Sequence, residues 1–344
     1  MRPRLKPLHT IRENGTLELK RELGVYFELP DEDGQVAALL GLLDGERTIE
    51  QISAAMPALS EQDVVAAVKA LDANDLLVDA DTESYGPELD RYASNLAFFS
   101  TFASLDTSAR QLHERLRDAH VVLLGVGGLG STLLLSLAGA GVGRLTLLDS
   151  DNVELKNLTR QFLYTSEDVG QSKVELAAAR ARAVNPELRI DAVERWVTEP
   201  EDVLPLIEDA DLVLCGIDKP VDIRNIVGRA CVTAGVPMLT GGMWASRGTY
   251  YGFVPGRQGC MDCKENTPDT RFWQAPVGNV NRAMGPMAAV ISGMIGLDAI
   301  RLLTGFAPPV SLGKVWLIDM VSGETAVYRE WERLPDCPTC GHLE

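Results

Sequence analysis

The chain has 344 residues, 46% of them hydrophobic, and carries a formal net charge of −17 at pH 7 with a pI of about 4.7. That length gives one large domain or two, with enough apolar side chains for a sizeable core. The acidic balance excludes the basic footprint of a nucleic-acid binder. Residues 1–15 hold no apolar segment, so no export signal is read there, and the most apolar stretch, 283–297, is short for a bilayer span and reads as a buried helix. A cytoplasmic protein with no nucleic-acid or membrane partner is expected.

In chain order, His9–Glu13 and residues 16–20 flank Asn14-Gly15, the dipeptide that most readily closes a two-residue hairpin. A third strand follows over 25–29 and ends at Pro30. Three helices come next. The first carries Val36, Leu39, Leu40 and Leu43 on one face and stops at Gly45. The second begins at Thr48, with Gln51 three places on as a capping box, and ends at Pro57. The third begins at Ser60 and carries Val64, Val68 and Leu71 on one stripe. Residues 1–85 therefore read as a small winged-helix-like domain, and 86–344 as a second. Glu61, Gln62 and Asp63 open the third helix, so a DNA backbone would meet carboxylates there. An extended peptide added to the open sheet edge suits the domain better. Residues 87–103 read as a linker and a helix.

Residues 119–173 organise the remainder. His120–Leu124 is an apolar, β-branched run that reads as a buried strand. Gly125, Gly127, Gly128 and Gly130 follow at once. Ser131 then caps an apolar helix that Gly141 and Gly143 stop. A second buried strand, Arg144–Leu148, ends on Asp149. This is a βαβ unit with a phosphate-cradling turn: glycines let the backbone approach an anion, and the helix start offers free N–H groups. Asp149 falls where a carboxylate accepts ribose hydroxyls. Alone, the unit means a nucleotide, and a nicotinamide dehydrogenase would fit it as well.

Further residues narrow the reading. Asp151, then Asn157-Leu158-Thr159-Arg160-Gln161, then Ser172-Lys173 and a later Asp218 follow the glycine turn. In this order and spacing they resemble the ThiF/MoeB superfamily of adenylating enzymes, over about residues 88–344; a dehydrogenase has no need of Asn157, Arg160 and Lys173. The resemblance implies an α/β, Rossmann-like, mixed-sheet adenylation domain that forms homodimers and uses ATP and Mg²⁺. It implies Asp149 at the ribose, Asn157 and Arg160 at the phosphates, Lys173 at the triphosphate and Asp218 on Mg²⁺, with Asp151 and Gln161 in the same nucleotide site. The residue types suit this chemistry, since Arg160 offers a fork of donors, Lys173 a compact cation and Asp218 a hard oxygen ligand. One departure stands out. Relatives often carry R-Y-x-R-Q ahead of the glycine turn, and its second arginine reaches the partner subunit's ATP site. Here Arg91-Tyr92-Ala93-Ser94-Asn95 places Ser94 there. Either Arg91 substitutes or the trans arginine is missing.

Six cysteines remain to be placed. Cys260, Cys263, Cys337 and Cys340 form two C-x-x-C pairs, enough for a closed tetrahedral Zn²⁺ site that pins the C-terminal tail. Cys215 lies on a strand over Leu212–Cys215 and Cys231 in a helix, where cysteines pack rather than react. Covalent transfer through a thioester is therefore not expected. Residues 264–281, with Arg271, Phe272 and Trp273, form a candidate lid. Strands over Lys314–Asp319 and 325–331 extend the sheet with antiparallel pairing, and the apolar stretch 283–302 suits a dimer interface.

The first domain resembles the leader-peptide recognition domains of ribosomal-peptide biosynthesis, through its element order and the phrase LLDGERTIEQI. Together the two resemblances imply adenylation of a carboxyl group on a ribosomal precursor peptide, as in microcin-type peptide adenylating enzymes. Two alternatives stay open. The chain is a non-catalytic leader-binding partner of a separate cyclodehydratase, or it adenylates a ubiquitin-like sulfur carrier.

Overall fold

The computed structural model describes residues 1–83, 85–266 and 283–343. The chain divides into two units, Met1–Glu114 and Arg115–Glu344.

In the first unit, strands β1 (Pro3–Leu5), β2 (His9–Glu13), β3 (Thr16–Glu22) and β4 (Val25–Pro30) precede helices α1 (Gln35–Leu42), α2 (Ile49–Ala55) and α3 (Glu61–Asp72). Asn14 and Gly15 both take positive φ, 50° and 75°, as a two-residue hairpin turn demands. The turn sets His9 opposite Lys20 and Glu13 opposite Thr16. Leu17 and Leu19 on β3 face inward to Leu39, Leu40, Ile52, Val64, Val68 and Leu71. Both α2 and α3 open on capping boxes, Thr48 with Gln51 and Ser60 with Asp63. The sheet order is β2-β3-β4, so among the described residues its two outer strands each keep a free edge.

A second small sheet has no counterpart in the sequence pattern. β5 (Leu77–Asp79) pairs antiparallel with β1. Strands of three residues carry no readable period. The unit also extends beyond residue 85. Lys6 Nζ donates to the carbonyls of Ala103 (2.6 Å) and Thr101 (3.0 Å), and Leu105 N–H donates to the Asp72 carboxylate. These bonds hold α4 (Ala93–Ser100) and the 3₁₀ turn before it in the first unit. The division between units therefore falls inside α5 (Ala109–Asp118).

The second unit alternates β6 (His120–Leu124), α6 (Gly128–Ala140), β7 (Arg144–Leu148), α7 (Lys173–Val184), β8 (Arg189–Val193), α8 (Leu204–Ile207), β9 (Leu212–Cys215) and α9 (Ile223–Ala234). Then come β10 (Met238–Trp244), β11 (Arg247–Phe253), α10 (Met261–Asn266), α11 (Gly285–Thr304), β12 (Lys314–Asp319) and β13 (Thr325–Glu330). They build one eight-stranded sheet in the order β13-β12-β11-β10-β9-β6-β7-β8. β10, β9, β6, β7 and β8 run parallel, and β11, β12 and β13 add antiparallel to one side. Helices cover both faces, which is why the residues of β6 are all buried.

Two boundaries differ from expectation. α6 starts at Gly128 with Gly127 as its cap, and Ser131 lies one turn inside it. Ser131 N–H is already spent on the Gly127 carbonyl, so Ser131 is a helical residue and not the cap. The apolar helix α11 is 20 residues long, enough by length and composition to cross a membrane, yet half of that window is buried inside the unit. It is longer than the apolar run because its acid is absorbed. Asp298 is fully buried and accepts N–H bonds from Val310 and Ser311 and an ion pair from Arg301. Ser292 fastens the same helix to α6 through the Leu129 carbonyl.

Candidate nucleotide and metal sites

Strand order runs outward from β6 in both directions, through β7 to β8 and through β9 to β10. The carboxyl ends of β6 and β9 therefore flank the crevice where doubly wound sheets bind ligands. Gly125 leaves β6 at φ 88°, and a Cβ there would lie 3.0 Å from the backbone of Gly216 and Ile217 after β9. At Gly130 a Cβ would lie 1.8 Å from the Gly125 carbonyl oxygen. These two positions admit only glycine, and the helix start is drawn onto the turn as a result.

Asp149 accepts N–H bonds from Val126 and Asp151, both at 2.8 Å. The carboxylate expected at the ribose is thus also a clamp on the turn. Burial raises its pKa, and the two N–H bonds work against that rise. A carboxylate offers about four acceptor positions, which leaves room for a hydroxyl. Lys173 opens α7 and is 4% exposed. Its N–H donates to the Asp151 carbonyl and its Nζ to Asp151 Oδ2 at 2.8 Å.

The Asn157–Gln161 segment folds over the glycines. Asn157 is buried and its Oδ1 accepts Glu154 N–H, closing a 3₁₀ turn. The Arg160 side chain lies 3.8 Å from where a Cβ on Gly128 would stand, and Gln161 Nε2 3.5 Å from one on Gly127. Gln161 Oε1 is buried with no hydrogen-bond partner among the described residues. An unfilled buried acceptor is costly, so a ligand or water is expected against it. Asp218 is exposed, three residues beyond β9. Arg91 and Ser94 are exposed residues of the first unit, and the candidate lid residues Arg271, Phe272 and Trp273 lie outside the described residues.

Two further residues shape this site without standing out in the sequence. Tyr164 OH lies 2.8 Å from the Val126 carbonyl and 3.3 Å from that of Lys173, so it ties the turn to α7; burial pushes its pKa up. Arg224, in the first turn of α9, donates through Nε to Thr240 Oγ1 (3.3 Å) and through Nη2 to the Gly241 carbonyl (3.1 Å). Asp218 lies within its electrostatic reach. The one sequence signal for Arg224 is a cation six residues after Asp218.

Away from the crevice, the Sγ atoms of Cys260, Cys263, Cys337 and Cys340 all lie within 4.8 Å of one another. Cys260–Cys263, Cys260–Cys337 and Cys263–Cys340 are separated by 3.9, 3.7 and 3.4 Å. A tetrahedral thiolate site with bonds of about 2.3 Å has edges of roughly 3.8 Å, so the cluster fits Zn²⁺. Burial pushes the Cys260 thiol up; at Cys337 burial also pushes up, but backbone N–H groups of Cys340 and Thr339 together with the Cys263 and Cys260 thiols outweigh it and hold the group down. Bound metal would keep all four as thiolates and cross-link the tail to α10. Leu334 N–H donates to Cys263 Sγ, and Trp331 Nε1 to the Gly259 carbonyl. Cys215 and Cys231 are buried in β9 and α9, as their packing role requires.

A doubly wound sheet with a glycine turn at its switch point, overlaid by the Arg160 side chain, marks a nucleotide-binding protein of the phosphate-handling kind. Residues 92–339 match the ThiF family, and the chain belongs to that family. It is 34% identical over 242 residues to the sulfur carrier protein ThiS adenylyltransferase of Escherichia coli K12, covering 69% of this chain and 92% of the relative. It is 35% identical over 232 residues to the molybdopterin-synthase adenylyltransferase of the same organism, covering 66% and 89%. The fold is similar to that of E. coli MccB solved with MccA-N7isoASN, with a TM-score of 0.82 at 21% identity over 99% of this chain and 100% of that one. MccB solved with ATP gives 0.80 at 23% identity over 98% and 99%. The protein is an ATP-dependent adenylyltransferase.

Proposed function

We propose that this adenylyltransferase activates a carboxyl group of a ribosomally made precursor peptide, whose leader docks on residues 1–85. The observation that carries the reading is the reach of the MccB likeness. It spans 99% of the chain, including the first 91 residues that the family match leaves out. MccB has been solved with N-formylated MccA. The open edges of β2 and β4 support strand addition by an extended peptide.

In the reaction, a peptide carboxylate oxygen attacks the α-phosphorus of ATP. The bond from that phosphorus to the bridging oxygen breaks, and pyrophosphate leaves with the electron pair. Charge gathers on phosphate oxygens, so the residues serve by position and charge. Arg160 and Lys173 face that charge, with Asp151 holding the Lys173 ammonium in place. Asn157 and Gln161 complete the phosphate side, Asp149 takes the ribose, and Asp218 would hold Mg²⁺, which would supply charge screening for the phosphates. Zn²⁺ at the four cysteines is structural, since four thiolates leave no open position. A homodimer covers the exposed Met284 and Val290 and lets Arg91 supply the cation that Ser94 does not.

The test is ATP–pyrophosphate exchange by the purified chain with candidate precursor peptides, drawn from any short reading frame beside its gene. Peptide-dependent exchange that Lys173→Ala abolishes is expected. The sulfur-carrier reading has its own support, because relatives of 34–35% identity bear that activity in their names. Exchange with a carrier ending in Gly-Gly, and none with the peptide, would replace the proposal with that reading. Leader binding without any ATP binding would reduce the chain to a binding partner.

A further inference from the structure

Asp262 stands between the two cysteines of the first pair, and the adenylation chemistry above makes no use of it. The residue is 7% exposed, and two parts of the second unit converge on its carboxylate. From α9, Asn225 Nδ2 donates to Oδ1 at 2.7 Å, and Arg229 donates through Nε to Oδ2 at 2.9 Å and through Nη2 to Oδ1 at 3.1 Å. From the second cysteine pair, the Thr339 hydroxyl donates to Oδ2. Asn266 Nδ2 closes α10 onto the Asp262 carbonyl. One buried carboxylate therefore joins both metal-binding turns to each other and to α9.

The first turn of α9 belongs to the nucleotide crevice. Arg224, next to Asn225, holds Thr240 and Gly241 on β10. Thr240 Oγ1 in turn donates to the Cys215 carbonyl at the end of β9, three residues before Asp218. Asn225 and Arg229 are four apart and share one face of the helix. The helix is packed against a buried core, which gives a shift at Asp262 a continuous packed route to Arg224.

We propose that Asp262 is a positioning residue that couples metal occupancy of the four-cysteine site to the placement of Arg224 and Asp218 at the ATP site. The proposal rests on the reading of Asp218 as the carboxylate that holds Mg²⁺. Coupling between two sites is reciprocal, so bound MgATP must tighten the metal by the factor with which the metal tightens MgATP.

The experiment uses the full chain loaded with Zn²⁺. Zinc release to a chromogenic chelator is followed with and without MgATP, and MgATP affinity is measured by calorimetry. In the wild type, MgATP slows zinc release by about 5-fold or more, the lower range of such couplings. Zinc-loaded Asp262→Ala loses that slowing and binds MgATP at least about 5-fold more weakly. Should Asp262→Ala fail to hold zinc, Arg229→Met and Asn225→Ala break the same joint from the helix side and show the same two losses. A structural role alone would lower stability and leave the effect of MgATP on zinc release in place. The coupling is overturned by a wild type whose zinc release ignores MgATP, or by joint variants that behave as wild type. Asp218→Asn separates the two readings. If it weakens MgATP while the joint variants do not, the coupling alone fails. If Asp218→Asn binds MgATP normally, the metal role of Asp218 fails and the coupling with it.

Discussion

Alanine at Gly130 is the sharpest perturbation of the nucleotide turn. Its Cβ would lie 1.8 Å from the Gly125 carbonyl oxygen and 2.8 Å from the carbon of that group. Both are backbone atoms of the turn, so no side chain can step aside. Relief requires the start of α6 and the turn to separate by at least about 1 Å in a close-packed interior. Overpacking of this kind costs about 1–3 kcal/mol or more in stability. Misplacing a positioned reactant by about 1 Å costs on the order of 100-fold in rate. Gly130→Ala is therefore expected to lose at least about 100-fold in ATP–pyrophosphate exchange and about 1–3 kcal/mol in urea unfolding. Gly139→Ala is the control on the same helix, because a Cβ there meets nothing within 4 Å. It should gain about 0.4–1 kcal/mol and keep full exchange. A Gly130→Ala protein with wild-type exchange and stability would refute the steric reasoning and the placement of ATP on this turn.

Other expectations follow from the same contacts. Lys173→Ala removes a buried ammonium whose partner, Asp151, is half exposed and can rehydrate. Stability should therefore fall by about 1 kcal/mol or less, while exchange falls by at least about 100-fold; parallel urea and exchange measurements check the split. Metal analysis should find one Zn²⁺ per chain, and Cys337→Ala should lose it and lower the melting temperature by several degrees, because the tail is no longer cross-linked. Lys6 gives a pH signature. Burial lowers its pKa from 10.5 to about 8 in the folded chain. Below pH 8 both states carry the proton and the folded state bears the desolvation cost. Between about 8 and 10.5 the folded state releases it first, so stability rises with pH across that window, by roughly 3 kcal/mol at most. Urea midpoints of the wild type against Lys6→Met should show this rise in the wild type alone.

The legible features of this chain are those whose cause lies within a few residues. Asn14-Gly15 dictates its hairpin because both residues tolerate positive φ, and Thr48 with Gln51 closes a box across a single turn. β6 and β7 are readable end to end, since burial on both faces leaves a run dominated by Val and Leu in β6 and by Leu in β7. The glycine spacing announces a phosphate turn, and the four cysteines a metal, by composition alone. The start of α6 is hidden because a glycine carries no helical signal of its own, so Ser131 stands out as the first capable residue.

What the tertiary structure decided has partners far apart in the chain. β1 pairs with β5 across three intervening helices, and Lys6 brings residues 101–103 into the first unit. Tyr164, Arg224 and Asp262 are ordinary residues in the sequence, and their roles come from what folding sets within 3.3 Å of them. Local propensity writes itself into adjacent positions, whereas a clamp or a joint exists only when distant carbonyls and carboxylates are brought to bonding distance.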